Sequence, residues 1–190
     1  MPIWIWLNAK VIADPNEQFR RIRNNWHGYP PDVLVKKIKY HWLLAGYCEA
    51  DVYPHRHSQD DELLPALVAI LGAVNELLRF FFLVEGRSFP YTEKLMRMAP
   101  KTKLGGQFVP MLQHLVDLAV GRAGGSLAVW ERLDKALEML CYYNKSEECR
   151  RLDDACAEAM IAAGVDPKWV KADYDNVEEL LIGELGPIPQ

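Results

Sequence analysis

Cysteine is scarce in this chain and falls into no pattern. Cys48, Cys141, Cys149 and Cys156 are the only four in 190 residues. They lack the paired spacing of a zinc site and are too few for a disulfide framework. They are expected to be reduced, largely buried thiols of an intracellular, cytoplasmic protein. The common catalytic signatures are absent as well. There is no P-loop, no Gly-x-Gly-x-x-Gly, no Gly-x-Ser-x-Gly and no His-Glu-x-x-His, which removes the usual phosphate-cradling loops, the serine-hydrolase elbow and the zinc-protease helix. Positive charge is in deficit, with 22 Lys and Arg against 26 Asp and Glu and a net charge of −4. That balance argues against a nonspecific grip on nucleic acid or on an anionic membrane, leaving only a local basic patch at Arg97, Lys101 and Lys103. Met1 runs into Pro-Ile-Trp-Ile-Trp without a basic start or a small-residue cleavage site, so no secretory signal is expected.

What the chain has is apolar bulk. Half of its residues are hydrophobic and six are tryptophan, enough to build a sizeable core. The longest apolar run, Leu63 to Val84, could span a bilayer by length. Its second half carries Asn75, Glu76 and Arg79, which are expensive in hydrocarbon, so it is expected to be the central helix of a bundle and not a membrane span.

The expected fold is mainly α: an up-and-down helical bundle preceded by one N-terminal β-strand. Ile3 to Ala13 is rich in β-branched and aromatic residues and ends in the turn Asp14-Pro15-Asn16, which reads as a strand with no partner. A short basic helix follows over Glu17 to Trp26. Pro31, with Asp32 beside it, then opens an amphipathic helix from Val33 to about Glu49. Further helices are expected over Glu62 to Val84, Lys103 to Gly121, about Leu127 to Tyr143 with Ser126 as cap, Glu147 to Ala163, and Asn176 to Glu184. Gly164 closes the penultimate helix and Pro167 is expected to prevent its return. Residues 1–28 would then be strand and linker, 29–121 the core bundle and 122–190 its C-terminal extension.

Three clusters carry candidate chemistry. Glu76 and Arg79 lie three apart on the apolar helix, so they share a face and must be paired or face a polar cavity. They are either an internal ion pair or a ligand-facing pair at the helix end. That end runs Phe82-Leu-Val-Glu-Gly-Arg-Ser-Phe-Pro-Tyr-Thr-Glu-Lys94. Here Gly86 terminates the helix, Pro90 forbids its continuation, and Tyr91, Glu93 and Lys94 follow close together. A tyrosine and a lysine three apart suit phosphate or another anion, while the bland alternative is a packed tyrosine beside a solvated lysine. The third cluster, Tyr53-Pro54-His55-Arg56-His57 with Asp60 and Asp61 downstream, has no second ligand pair for a metal. It reads as a polar, substrate-facing wall or a solvated loop. Arg23 and His27 form a weaker, ribonuclease-like pattern.

These features resemble the C-terminal helical part of nucleotidyltransferases of the aminoglycoside-modifying type. The resemblance runs through Ile3 to Asp14-Pro15 as the last strand of a catalytic sheet, and through Tyr29-Pro30-Pro31-Asp32-Val33 as the entry to the first bundle helix. Its most specific part is the apolar helix ending in Phe82 to Lys94. It implies that Tyr91 and Lys94, with Arg79, contact a nucleotide triphosphate. It also implies that Tyr53, His55, His57, Asp61, Glu76 and Glu93 border a small-molecule acceptor. The Gly-Ser turn and metal-binding aspartates of such enzymes are not in this sequence. Mg²⁺ and NTP would therefore be cofactors only of a complete enzyme, formed with an N-terminal or separate catalytic domain. The alternative is a non-catalytic helical protein that pairs with itself through its N-terminal strand.

Overall fold

The computed structural model describes residues 7–26, 28–50 (for 49 and 50, the backbone alone), 62–140 and 146–171. Regular structure among the described residues is helical. The expected N-terminal strand is not found there: Leu7 and Asn8 are helical, and Ala9 to Ala13 carry no regular structure. The start of the strand, residues 1–6, lies outside the described residues. The Asp14-Pro15-Asn16 turn does form, closed by the Glu17 amide donating to the Asp14 carbonyl at 3.0 Å. Asp14 then accepts from the amides of Phe19 and Arg20 at 3.2 and 2.9 Å. These bonds satisfy donors of α1 (Gln18–Asn24), which have no partner within the helix.

Two long antiparallel helices make the centre, α2 (Pro31–Ala50) and α3 (Leu63–Leu83). Pro31 supplies a fixed φ in the first turn of α2, where its missing N–H costs nothing, and Asp32 lies at the positive end of the helix dipole. α3 buries twelve residues, among them the consecutive Phe80, Phe81, Phe82 and Leu83. A helix can bury four residues in a row only when it is covered on every side. Trp42 of α2 packs on Phe80 with ring centroids 5.4 Å apart. At the opposite end of the pair, a Cβ on Gly72 would lie 3.1 Å from the Cys48 sulfur, so the helices approach closely there. α3 is the one helix among the described residues long and apolar enough to cross a membrane, and most of that apolar surface is buried in the bundle.

α3 ends as its sequence requires. Gly86 takes φ +67°, its amide donates to the Leu83 carbonyl at 2.8 Å, and the Arg87 amide donates to Phe82 at 3.0 Å. The next elements are α4 (Thr92–Met98), a single 3₁₀ turn (Ala99–Lys101) and α5 (Lys103–Ala119). The end of α3 clamps the start of α5. Glu85 accepts from the Lys103 amide at 2.5 Å, and Arg87 donates to the Lys101 carbonyl at 3.1 Å and to Glu85 at 3.2 Å. Thr102 caps α5: its hydroxyl accepts from the Gly105 amide at 3.0 Å and donates to the Ala99 carbonyl at 2.8 Å. Thr102 is buried, so Thr102→Ala is expected to lower unfolding free energy by about 1–2 kcal/mol in urea titrations.

α6 (Val129–Glu138) and α7 (Glu147–Ala162) pack against α5, and the short α8 (Pro167–Val170) packs against α7. One expectation is corrected here. α6 starts at Val129, with the Glu131 side chain accepting from the Ala128 amide at 3.0 Å, and Ser126 is not its cap. α7 ends before Pro167, and Pro167 opens a separate short helix: Asp166 accepts from the Lys168 amide at 2.8 Å, and proline occupies the first turn, where it needs no donor. Trp169 of α8 is buried, and its ring lies 5.0 Å from the Lys39 amine of α2. The expected helix over Asn176 to Glu184 lies outside the described residues.

Candidate functional site

A charged network crosses the interface between α2 and α3. Glu76 and His41 are both buried. His41 Nδ1 lies 2.5 Å from Glu76 Oε2, and with the carboxylate ionised the ring nitrogen is the donor. Arg79 Nη1 donates to Glu76 Oε1 at 2.8 Å and the Asn75 side-chain Nδ2 donates to the same oxygen at 3.0 Å. Burial would raise the Glu76 pKa. The hydrogen bond from His41, the charges of Arg79 and His41, and the Asn75 side-chain amide outweigh it, and the carboxyl titrates below the usual glutamate value.

The network reaches the α3–α4 turn through Arg79. Its Nη2 approaches Thr92 Oγ1 at 3.4 Å, at the first residue of α4. Its guanidinium also sits over the Phe89 ring, 5.4 Å from the centroid. The His41 ring meets Phe89 edge-on at 5.3 Å, so Phe89 packs against two members of the network. Arg79 keeps 27% of its side chain exposed. Its Nε and the Asn75 Oδ1 are buried with no hydrogen-bond partner among the described residues. Beyond Thr92, the Lys94 amine stands 5.1 Å from the centroid of the Tyr91 ring.

Residues 3–95 match the model of a domain of unknown function, DUF4037. No curated protein and no solved structure matches the chain. The matched span takes in α1 to α3, the Glu76 network and the Phe89 to Lys94 turn.

The sequence-predicted residues therefore divide into three groups. Arg79, Tyr91 and Lys94 come from the end of α3 and the start of α4, with Arg79 and Thr92 bridging the two elements. Glu76 lies behind them, engaged by three donors. Glu93 has no contact with these residues among those the structure shows. It lines a groove of about 540 Å³ between α4 and α5, together with Met96, Arg97, Gly106, Val109 and Pro110. Tyr53, His55, His57 and Asp61 lie outside the described residues, as does His27. Cys149 and Cys156 are buried and Cys48 is half-buried. Burial, with Asp153 and Cys149 nearby, pushes the Cys156 thiol well above the ordinary range, which keeps it protonated and unreactive.

His41 is the member that sequence reasoning missed. A signal was present: His41 falls on the same face of α2 as Ile38, Trp42 and Ala45. An imidazole on an apolar face needs a buried partner.

Proposed function

We propose that the chain is the helical nucleotide- and acceptor-binding part of a nucleotidyltransferase, which in a complete enzyme moves a nucleoside monophosphate from an NTP to a hydroxyl-bearing acceptor. The observation that carries this reading is the Arg79–Thr92 bridge. It ties the turn bearing Tyr91 and Lys94 to a charged network buried in the two central helices, and an anion site gains from such rigid support. In this reading Lys94 neutralises phosphate charge, the Tyr91 hydroxyl donates to a phosphate oxygen, and the exposed edge of Arg79 faces the same group. Glu76 and His41 hold Arg79 in place. The metal-binding carboxylates come from a catalytic domain, because phosphoryl-type transfer needs Mg²⁺ to offset developing charge as well as positioning.

The test is equilibrium dialysis of Mg-ATP against the chain. A charge-assisted contact is worth about 1.5–3 kcal/mol, so Lys94→Ala is expected to weaken binding by about ten- to a hundredfold. Binding that Lys94→Ala leaves undiminished would remove Lys94 from the role.

A second reading, a helical interaction protein without catalytic function, draws support from Ile12 and Ile22, which are 94% and 59% exposed. A dimer that Ile12→Lys and Ile22→Lys dissociate, with no affinity for Mg-ATP, would favour it.

A further inference from the structure

The groove between α4 and α5 is built by two matching helix faces. On the α4 side Glu93, Met96, Arg97 and Pro100 recur at the spacing of one face. On the α5 side Gly106, Val109, Pro110 and Gln113 repeat the same spacing. Gly106 brings no side chain to the floor, and Met96, Val109 and the two prolines make the walls apolar. At about 540 Å³, the groove has the size of a small-molecule site, about 300–1,000 Å³.

Its few polar groups are mostly acceptors. The Gln113 side-chain nitrogen donates to Asp117 at 3.1 Å, which leaves its carbonyl oxygen to accept. Pro110 sits inside α5 and has no amide, so the Gly106 carbonyl lacks its ordinary helix donor. Glu93 adds a carboxylate, and Arg97 is the one cation among the lining residues. Glu93 and Arg97 are both exposed and lie one turn apart on α4. That spacing ordinarily pairs a carboxylate with a guanidinium. Here neither has a hydrogen bond or ion pair among the described residues. One negative and one positive group therefore stand open beside an apolar groove.

A complementary ligand carries an ammonium and a carboxylate close together, with an apolar group beside them. We propose that the groove binds a free α-amino acid with a large apolar side chain. Its ammonium meets Glu93, its carboxylate meets the Arg97 guanidinium, and its side chain lies against Met96, Val109 and Pro110. A peptide is a poorer match, because its two charged termini sit on different residues. The inference does not rest on nucleotide binding, and its test uses no nucleotide.

The experiment is an NMR titration of the full chain, with isotope-labelled methionine methyl groups, against L-phenylalanine. The Met96 methyl signal is expected to shift and to saturate. N-acetyl-L-phenylalanine lacks the ammonium and L-phenylalaninamide lacks the carboxylate. Each should bind about five- to tenfold more weakly, the scale of one exposed charged contact. Glu93→Gln should weaken L-phenylalanine by the same factor and leave the N-acetyl form no weaker. Arg97→Gln should do likewise with the amide. Both side chains are exposed, so neither variant threatens the fold. Equal binding of the three ligands would overturn the proposal, as would no binding, or binding that leaves the Met96 methyl unmoved. Tightest binding of the N-acetyl form would also overturn it, assigning the groove to an anionic amphiphile.

Discussion

Glu76→Ala is expected to lower the unfolding free energy by about 3–5 kcal/mol, since it removes one partner of a buried ion pair and strands the others. Three donors lose their acceptor at once: His41 Nδ1, Arg79 Nη1 and the Asn75 side-chain amide. His41 is buried and Asn75 and Arg79 are half-buried, so much of the cost is desolvation without compensation. Domains of this kind have about 5–15 kcal/mol in total, so the variant stands near the edge of folding. Urea titration at pH 7 measures the loss, with Glu76→Gln as a milder second variant should Glu76→Ala not fold. The pH dependence follows from linkage. The Glu76 carboxyl has a folded pKa below its unfolded value, so its stabilisation is fully present above the usual glutamate pKa, about 4.3. It is lost as pH falls through the depressed folded value. The gap between wild type and Glu76→Gln should therefore be constant above about pH 5 and shrink progressively below about pH 4. A gap that widened on acidification would mean that the carboxyl is held neutral.

Replacing the whole network separates structural from functional roles. A triple variant with His41→Phe, Glu76→Leu and Arg79→Leu leaves no charge behind, and exchanges of that kind are often neutral or stabilising. If the triple variant is stable yet binds Mg-ATP less tightly than wild type, the network serves the turn that Arg79 supports. If it is stable and binds equally well, the charges serve packing alone.

Much of this architecture was legible in the sequence, and particular residues show where legibility stopped. The three-residue spacing of Glu76 and Arg79 marked their shared face, because the helix period is local information. His41 lies 35 residues away, and pairing it with Glu76 requires the register of α2 against α3, which no local pattern encodes. The Gly86 terminus and the Pro31 start were readable, since glycine and proline constrain their own backbone. The N-terminal stretch misled, because β-branched and aromatic residues favour strands only where another strand pairs with them. Pro167 was legible only as a barrier to the preceding helix: proline blocks the interior of a helix but suits its first turn, and Asp166 beside it was the overlooked cap of a new one. The candidate site was legible only as a turn with Tyr91 and Lys94. Its link to the core runs through the Arg79–Thr92 contact, which is tertiary.

Gly105→Ala is the second change with a large expected effect, and its neighbour supplies the control. A Cβ at Gly105 would stand 1.9 Å from the Ala99 carbonyl oxygen and 2.6 Å from Thr102 Oγ1. The first of these is backbone, and the second is the buried hydroxyl that caps α5, so neither can swing aside. The 3₁₀ turn must move away from α5, breaking the Thr102 cap and disturbing the adjacent clamp in which Arg87 donates to the Lys101 carbonyl. Overpacking costs typically about 1–3 kcal/mol, and loss of the cap adds about 1 more, for an expected total of about 2–4 kcal/mol. One residue on, a Cβ at Gly106 would meet the Pro100 carbonyl at 3.6 Å, an ordinary contact. Gly106→Ala should therefore show only the propensity gain of alanine in a helix, about 1 kcal/mol in the stabilising direction. Thermal or urea unfolding of the two variants should move in opposite directions from wild type. Equal effects of the same sign would mean that α5 and the 3₁₀ turn do not approach this closely in solution. The same pair probes the groove, because Gly106 lines it with Glu93 and Arg97. Alanine there narrows the floor by one methyl group and leaves the fold intact.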